Sequence, residues 1–258
     1  MKQFTLLVVL LCFINTQAAP DRTSRIINGR VVPHKPYNVF IMFLNDNNSG
    51  FFGGGTIISN LHILTAAANI VGFTSWTVRY GSNIFSQLNE IVSTTATPHP
   101  EFDSNNRLND IGVITLPQSL TFHATVSPAA LPSRFSSELN LLPLENEQGT
   151  IVGFGFTSED VHTQSDVLWG SFQRVIDDAN CQRFYTITLP RHFCATDNVD
   201  SSNVCNGEIG AGFITDVRGL PTVTGVASQL TVGCGYTSPT AYTRVEFYRE
   251  WINTITSL

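Results

Sequence analysis

Apolar residues in this chain come in short runs, often alternating with polar ones, punctuated by Gly, Pro, Asn and Ser. Tyr37–Leu44, Gly55–Ser59, Ile63–Ala67, Trp76–Tyr80 and Ile111–Leu116 form one series. Gly149–Phe154, Ala211–Thr215, Val223–Ser228 and Ala241–Val245 form a second. Runs of this length and spacing predict an all-β barrel or sandwich, since a period of two turns one face to a core and the other to water. Only two segments predict helix. Asp177–Phe184 opens with acidic residues, which suit the positive end of a helix dipole. Phe247–Ile255 carries Phe247, Tyr248, Trp251, Ile252 and Ile255 at helical spacing and should dock one face on the body. Val126–Pro132 is proline-punctuated and predicts a link between two halves.

Length and composition narrow the function classes. The 258 residues fit one large all-β domain or two small ones. Only 13% are charged, about half the ~25% of ordinary soluble chains, so hydroxyls and amides must build the polar surface. A net charge of −6 with scattered basic residues argues against a nucleic-acid partner. Lys35 is the only lysine after Arg25, so no polybasic membrane patch exists. No Cys/His cluster or EF-hand-like acidic run points to a metal, and no cofactor is expected.

Residues 1–19 read as a secretory signal. Lys2 is the positive flank, Leu6–Ile14 an apolar run of nine, and cleavage is expected after Ala18 or Ala19. No later stretch approaches the about 18 apolar residues of a membrane span. Cys12 leaves with the signal. Cys181, Cys194, Cys205 and Cys234 remain, an even number that suggests two disulfides in an exported protein. Asn47-Asn48-Ser49 is a candidate glycosylation sequon and equally an ordinary Asn-rich turn.

A series of landmarks resembles the trypsin/chymotrypsin-like serine protease family. They are Arg25-Ile26-Ile27-Asn28-Gly29, Gly54-Gly55-Thr56-Ile57-Ile58-Ser59, Ile63-Leu64-Thr65-Ala66-Ala67, Asn109-Asp110-Ile111 and Gly153-Phe154-Gly155. Cys205-Asn206-Gly207, Gly225-Val226-Ala227-Ser228, Tyr242-Thr243-Arg244-Val245 and Trp251-Ile252 complete them, in family order. The resemblance implies a pro-segment over residues 20–25 and a domain over 26–258. It implies two six-stranded antiparallel barrels, about 26–132 and 133–258, with a C-terminal helix. Ser238-Pro239-Thr240-Ala241-Tyr242 is similar in style to arthropod members.

The chemistry departs from the family. Its triad needs a hydroxyl nucleophile, an imidazole base and a buried carboxylate that orients the base. The base position here is Ala68, and a methyl group accepts no proton. The nucleophile position, in Gly207-Glu208-Ile209-Gly210-Ala211, is Ile209, which has no lone pair to attack with. Only Asp110 matches, and without a base it is expected to bind local backbone amides or water. Loss of either reacting group alone costs ~10⁶ in turnover in a serine protease. His34, His62, His99, His123, His162 and His192 are read as structural or solvated, not as replacement bases.

The binding positions change with it. Two commonly glycine positions at the specificity pocket are Leu230 and Thr240, and the floor is Asn203 beside Val204. These should narrow or fill the entrance. Gly207 and Ile209 hold the oxyanion-hole positions. Arg25-Ile26 should be cut by an activating trypsin-like protease, freeing an Ile26 ammonium to pair with Glu208; the alternative is that Glu208 points to solvent. From Ile26 onward, 11 basic and 19 acidic residues give a net charge of −8. The resemblance implies Cys181–Cys194 and Cys205–Cys234 bridges, and Gly53 and Asn69 stand where a third would be. The expected function is that of a secreted, monomeric pseudoprotease binding an extracellular protein as decoy, inhibitor or cofactor in a protease or immune cascade. Two alternatives stay open: an enzyme with rearranged nucleophile and base, and a small-molecule or glycan binder on the same fold.

Overall fold

Every alternating run becomes a strand, and five strands appear that the alternation does not mark. The structure is a computed structural model and describes residues 29–133, 141–155, 165–186, 190–205, 207–230 and 238–258. The expected signal, pro-segment and first residues of the domain, Arg25 and Ile26 included, lie outside the described residues.

The first half holds β1 (Arg30–Val31), β2 (Asn38–Leu44), β3 (Gly50–Ile57), β4 (His62–Thr65), β5 (Ser75–Tyr80), β6 (Asn89–Ser93), β7 (Thr95–Pro98) and β8 (Gly112–Thr115). The second holds β9 (Gln148–Gly153), β10 (Trp169–Ile176), β11 (His192–Thr196), β12 (Gly212–Val217), β13 (Leu220–Gln229) and β14 (Thr240–Arg244). All strand pairing between them is antiparallel.

The two sheets differ in closure. In the second half, β9 pairs with both β10 and β12, which closes the six strands β9-β10-β11-β14-β13-β12 into a barrel. The first-half sheet runs β6-β5-β2-β3-β4-β8-β7 and is a half-barrel in its hydrogen bonding. Its two edges, β6 and β7, are consecutive in the chain with Thr94 alone between them. Ser93 manages that corner, donating to the Thr115 carbonyl at 2.6 Å and accepting the Thr95 N–H at 3.0 Å.

Two of the strands that alternation misses, β10 and β11, bury polar groups. β10 buries Ser171 and Gln173 completely. Each has a partner: Ser202 donates to the Ser171 hydroxyl at 2.6 Å, and the Tyr242 hydroxyl donates to Gln173 Oε1 at 2.7 Å. β11 is buried along its first four residues and so shows no alternation.

Three of the five apolar clusters among the described residues frame the site. One fills the first half (Ile41, Ile57, Ile63, Val78, Ile114) and one the second (Ile151, Phe193, Val204, Phe213, Tyr242). The third joins Leu64, Ile111 and Val113 of the first half to Ile214, Val226 and Ile252 of the second. The chain's ends cross over. β1 pairs with β10 in the second sheet. The C-terminal helix α2 (Arg249–Thr256), entered through a 3-10 turn at Val245–Tyr248, packs Tyr248 and Trp251 on His99 of the first half. The link at Val126–Pro132 is strapped to both sheets: Ala129 N–H reaches the Ile57 carbonyl and Ala130 N–H the Pro221 carbonyl. The short helix α1 (Asp178–Cys181) is capped by Asp177, which accepts the Asn180 N–H at 2.8 Å.

Candidate functional site

The carboxylate at Asp110 is fixed from both halves. It lies just before β8, and the preceding turn is tight, with left-handed φ of 53° at Arg107 and 57° at Asn109. Thr243 of β14 donates to the Asp110 carbonyl at 2.9 Å, and Tyr248 donates to Asn109 Oδ1 at 2.8 Å. The Asp110 side chain is fully buried. Its Oδ1 accepts the Ala68 N–H at 2.8 Å and its Oδ2 the Ser228 hydroxyl at 2.7 Å. The Arg107 guanidinium stands 3.5 Å from Oδ2 as an ion-pair partner. Burial pushes the Asp110 pKa up, and the bonds from Ser228 and Ala68 and the charge of Arg107 pull against that shift. The carboxylate does accept a backbone amide, but one that lies 42 residues away in sequence and not a local one. Sequence reasoning missed Ser228 and Arg107; Arg107 lies three residues before Asp110, and a cation so near an acid was the available signal.

Ala68 and Ile209 come together at this place. Both are half-buried and pack against the cluster that joins the halves. Ala68 lies in a 3-10 turn, Ala67–Asn69. Ile209 presents a hydrocarbon side chain, while its carbonyl accepts the Gly54 N–H at 2.9 Å and Asn69 Nδ2 at 2.8 Å. Asn69 also donates to Thr65 at 3.0 Å, and its own carbonyl accepts Trp76 Nε1 at 2.8 Å. Its carboxamide thus ties the first half to the Ile209 loop where a third bridge was absent from the sequence. A Cβ at Gly53 would come within 2.6 Å of Asn69 Nδ2 and of the Ile209 carbonyl, so the glycine and the amide fit each other.

The loop before Ile209 is ordered around a buried acid. Gly207 has φ 93°, a conformation that L side chains rarely adopt, with Phe52 against it. The amides of Gly207 and Ile209 meet no backbone acceptor among the described residues. Glu208 is fully buried, so the alternative that it points to solvent is not the observed arrangement. Gly153 and Gly155 make room for its side chain: a Cβ at either would come within 3.0 Å or less of the Glu208 carboxyl. Glu208 Oε2 accepts the Cys205 N–H at 2.8 Å, and Oε1 has no hydrogen-bond partner among the described residues. Burial pushes the carboxyl up to about 8, against the pull of the Cys205 and Gly155 amides. Ile26, its expected partner, lies outside the described residues.

The pocket positions are occupied by their own contacts. Asn203 and Thr240 are both buried, and the Thr240 hydroxyl donates to Asn203 Oδ1 at 2.9 Å. Asn203 Nδ2 donates to the Ser238 carbonyl at 2.8 Å. Val204 is fully buried in the second-half core, and Leu230 packs on the same cluster. The Cys181–Cys194 bridge is present. Cys205 is disulfide-bonded, and its expected partner, Cys234, lies outside the described residues.

The histidines lie elsewhere in the fold. His62 bonds to Ser59 at 2.8 Å and His34 to the Thr125 carbonyl at 2.7 Å. Burial lowers the pKa of both His62 and His99. His192 Nε2 lies 3.3 Å from the Arg107 carbonyl, and the His99 ring lies against Tyr248. His162 lies outside the described residues. No cluster of three His, Cys, Asp or Glu that could hold a metal occurs among the described residues. No helix among them is long and apolar enough to cross a membrane.

Comparisons with known proteins agree with this architecture. A family model described as Trypsin matches residues 26–252. A chymotrypsin of Phaedon cochleariae is 30% identical over 245 residues, covering 92% of this chain and 84% of that protein. A collagenase of Hypoderma lineatum is 29% identical over 92% of this chain and 89% of its own length. Glucanase inhibitor protein 3 of Phytophthora infestans is 29% identical, over 93% and 92%. Among solved structures, HL collagenase superposes with a TM-score of 0.79 at 27% identity, covering 90% of this chain and 99% of that one.

Proposed function

The chain belongs to the trypsin-like serine protease family, and from that premise we propose that it is a secreted member that binds proteins instead of cutting them. One observation carries this reading: the groups that meet the Asp110 carboxylate are the Ala68 amide, the Ser228 hydroxyl and the Arg107 guanidinium. None of the three can take a proton from a nucleophile at neutral pH and hand it on. Across from them Ile209 offers carbon only. The buried Asn203–Thr240 pair, with Leu230 beside it, supports loss of ordinary side-chain binding as well.

The surrounding frame supports a binder with an orderly loop. Glu208 sits in a built pocket with one carboxyl oxygen that meets no hydrogen-bond partner among the described residues, the chemistry that an Ile26 ammonium would satisfy after cleavage at Arg25. Residues 1–19 supply the export signal. Substitution at the reacting positions with the scaffold retained favours a decoy, inhibitor or cofactor in an extracellular protease or immune cascade. A relative that carries the name of a glucanase inhibitor is an example of a binding role within reach of this sequence.

The test is direct. Purified protein, before and after trypsin treatment and removal of the trypsin, is offered a fluorophosphonate probe and mixed peptide substrates. We expect no label on this chain and no turnover above a mock preparation. Probe attached to any serine or threonine of the cleaved chain would instead establish a rearranged enzyme.

A further inference from the structure

Asn47-Asn48-Ser49 is the only Asn-x-Ser/Thr triplet in the chain, and the function proposed above makes no use of it. The triplet forms the turn between β2 and β3. That turn is built by a different residue. Asn45 Oδ1 accepts the N–H of Asn47 at 3.0 Å and of Ser49 at 2.9 Å, and the Asn45 carbonyl accepts the Asn48 N–H at 2.9 Å. Asn48 takes the left-handed φ of 55° that closes the turn. The fold therefore leaves the Asn47 carboxamide and the Ser49 hydroxyl unused among the described residues. Residues 46–50 are all exposed.

A second feature lies beside the turn. Leu44 pairs with Gly50, and one register step further Phe43 pairs with Phe51. Phe51 is 51% exposed, stacked on Phe43 at 6.3 Å and edge-on to Phe73 at 5.4 Å. A half-exposed ring in an aromatic cluster, two residues past the turn that carries an unused carboxamide, offers the apolar C–H face of a sugar a surface to lie on.

We propose that Asn47 is an N-glycosylation site whose first sugars lie against Phe51. The carboxamide nitrogen attacks the anomeric carbon of a lipid diphosphate-linked oligosaccharide. The C–N bond forms, the bond from that carbon to the diphosphate oxygen breaks, and the amide proton is lost to base. The glycan then stands at one end of β3, while Gly53 and Gly54 on the same strand touch the Ile209 loop. Three residues of strand span about 10 Å, so a partner seated at that loop meets the glycan at its edge.

The proposal rests on the export reading, and two arms separate them. With the native leader, appearance of the protein in the medium of insect cells reads export alone. With residues 20–258 behind an established leader, the total product is analysed by intact mass and by peptide-N-glycosidase digestion. We expect one enzyme-sensitive glycan, conversion of Asn47 to Asp on its removal, and loss of the shift in both Asn47→Gln and Ser49→Ala. A product with the bare polypeptide mass in the second arm overturns the proposal, whatever the first arm shows. A glycan that persists in Asn47→Gln does the same.

Discussion

Asn69 stands at one of the two positions where the resemblance implies a bridge within the first half, and its carboxamide makes a different connection, holding the Ile209 loop to that half. Its amide reaches the Ile209 carbonyl and Thr65 from a buried position, so truncation leaves the carbonyl short of a partner. Asn69→Ala should lower stability by about 1–3 kcal/mol, read as a shifted urea midpoint at unchanged slope. An effect within experimental error would mean that the loop holds itself. Glu208 makes a prediction about pH. In the uncleaved chain its folded pKa of about 8 lies above the ordinary 4.5, so the folded state keeps a proton that the unfolded state releases. The stability it contributes is complete below about 4.5 and is lost as pH rises toward 8. Midpoints for unfolding should fall between pH 5 and pH 8, and fall less in Glu208→Gln, which has no charge to bury. Parallel midpoints for the two proteins across that range would contradict the assignment. Glu208 was named from its place in a motif; its burial was not visible there, because the space it fills belongs to Gly153 and Gly155 of another strand.

At the scale of elements, the C-terminal helix shows how a pattern becomes a contact. The spacing of Tyr248, Trp251, Ile252 and Ile255 predicted a docked face, and α2 docks it on the first half through His99 and the joining cluster. Ile252 is fully buried, so Ile252→Ala should cost about 2–5 kcal/mol. Thr254 lies on the outer face, and Thr254→Ala should stay within about 0.5 kcal/mol. Thermal unfolding of the pair checks this, and equal losses would show that the helix does not dock. Wholly buried β14 was legible from its apolar run. β10 was not, although its burial alternates, because its inward Ser171 and Gln173 are polar and find partners in Ser202 and in Tyr242 of β14 that no local pattern announces.

At the scale of the whole molecule, the site exists only where the halves meet. Ala68 and Asp110 come from the first sheet's loops, Ile209 and Ser228 from the second, and Thr243 and Tyr248 hold the corner at Asn109-Asp110. Restoring a base and nucleophile therefore has to contend with Arg107. An imidazole at position 68 needs Asp110 as its orienting acceptor, and a guanidinium 3.5 Å from Oδ2 competes for that oxygen and opposes a second positive charge. After cleavage, Ala68→His with Ile209→Ser should resist a fluorophosphonate probe, and adding Arg107→Ala should permit labelling. Labelling of the double variant as fast as the triple would show that Arg107 is no obstacle. The sequence by itself determined the class of fold and the order of its landmarks, Asp110 and the residues around Ile209 among them, because periodicity and motif spacing are local properties. Only the tertiary structure decided what those residues do. Hydrogen bonds, burial and charge act across distances in space that are long in sequence, as with Asn69 and Ile209 or Asp110 and Ser228, and a chain read in order does not contain them.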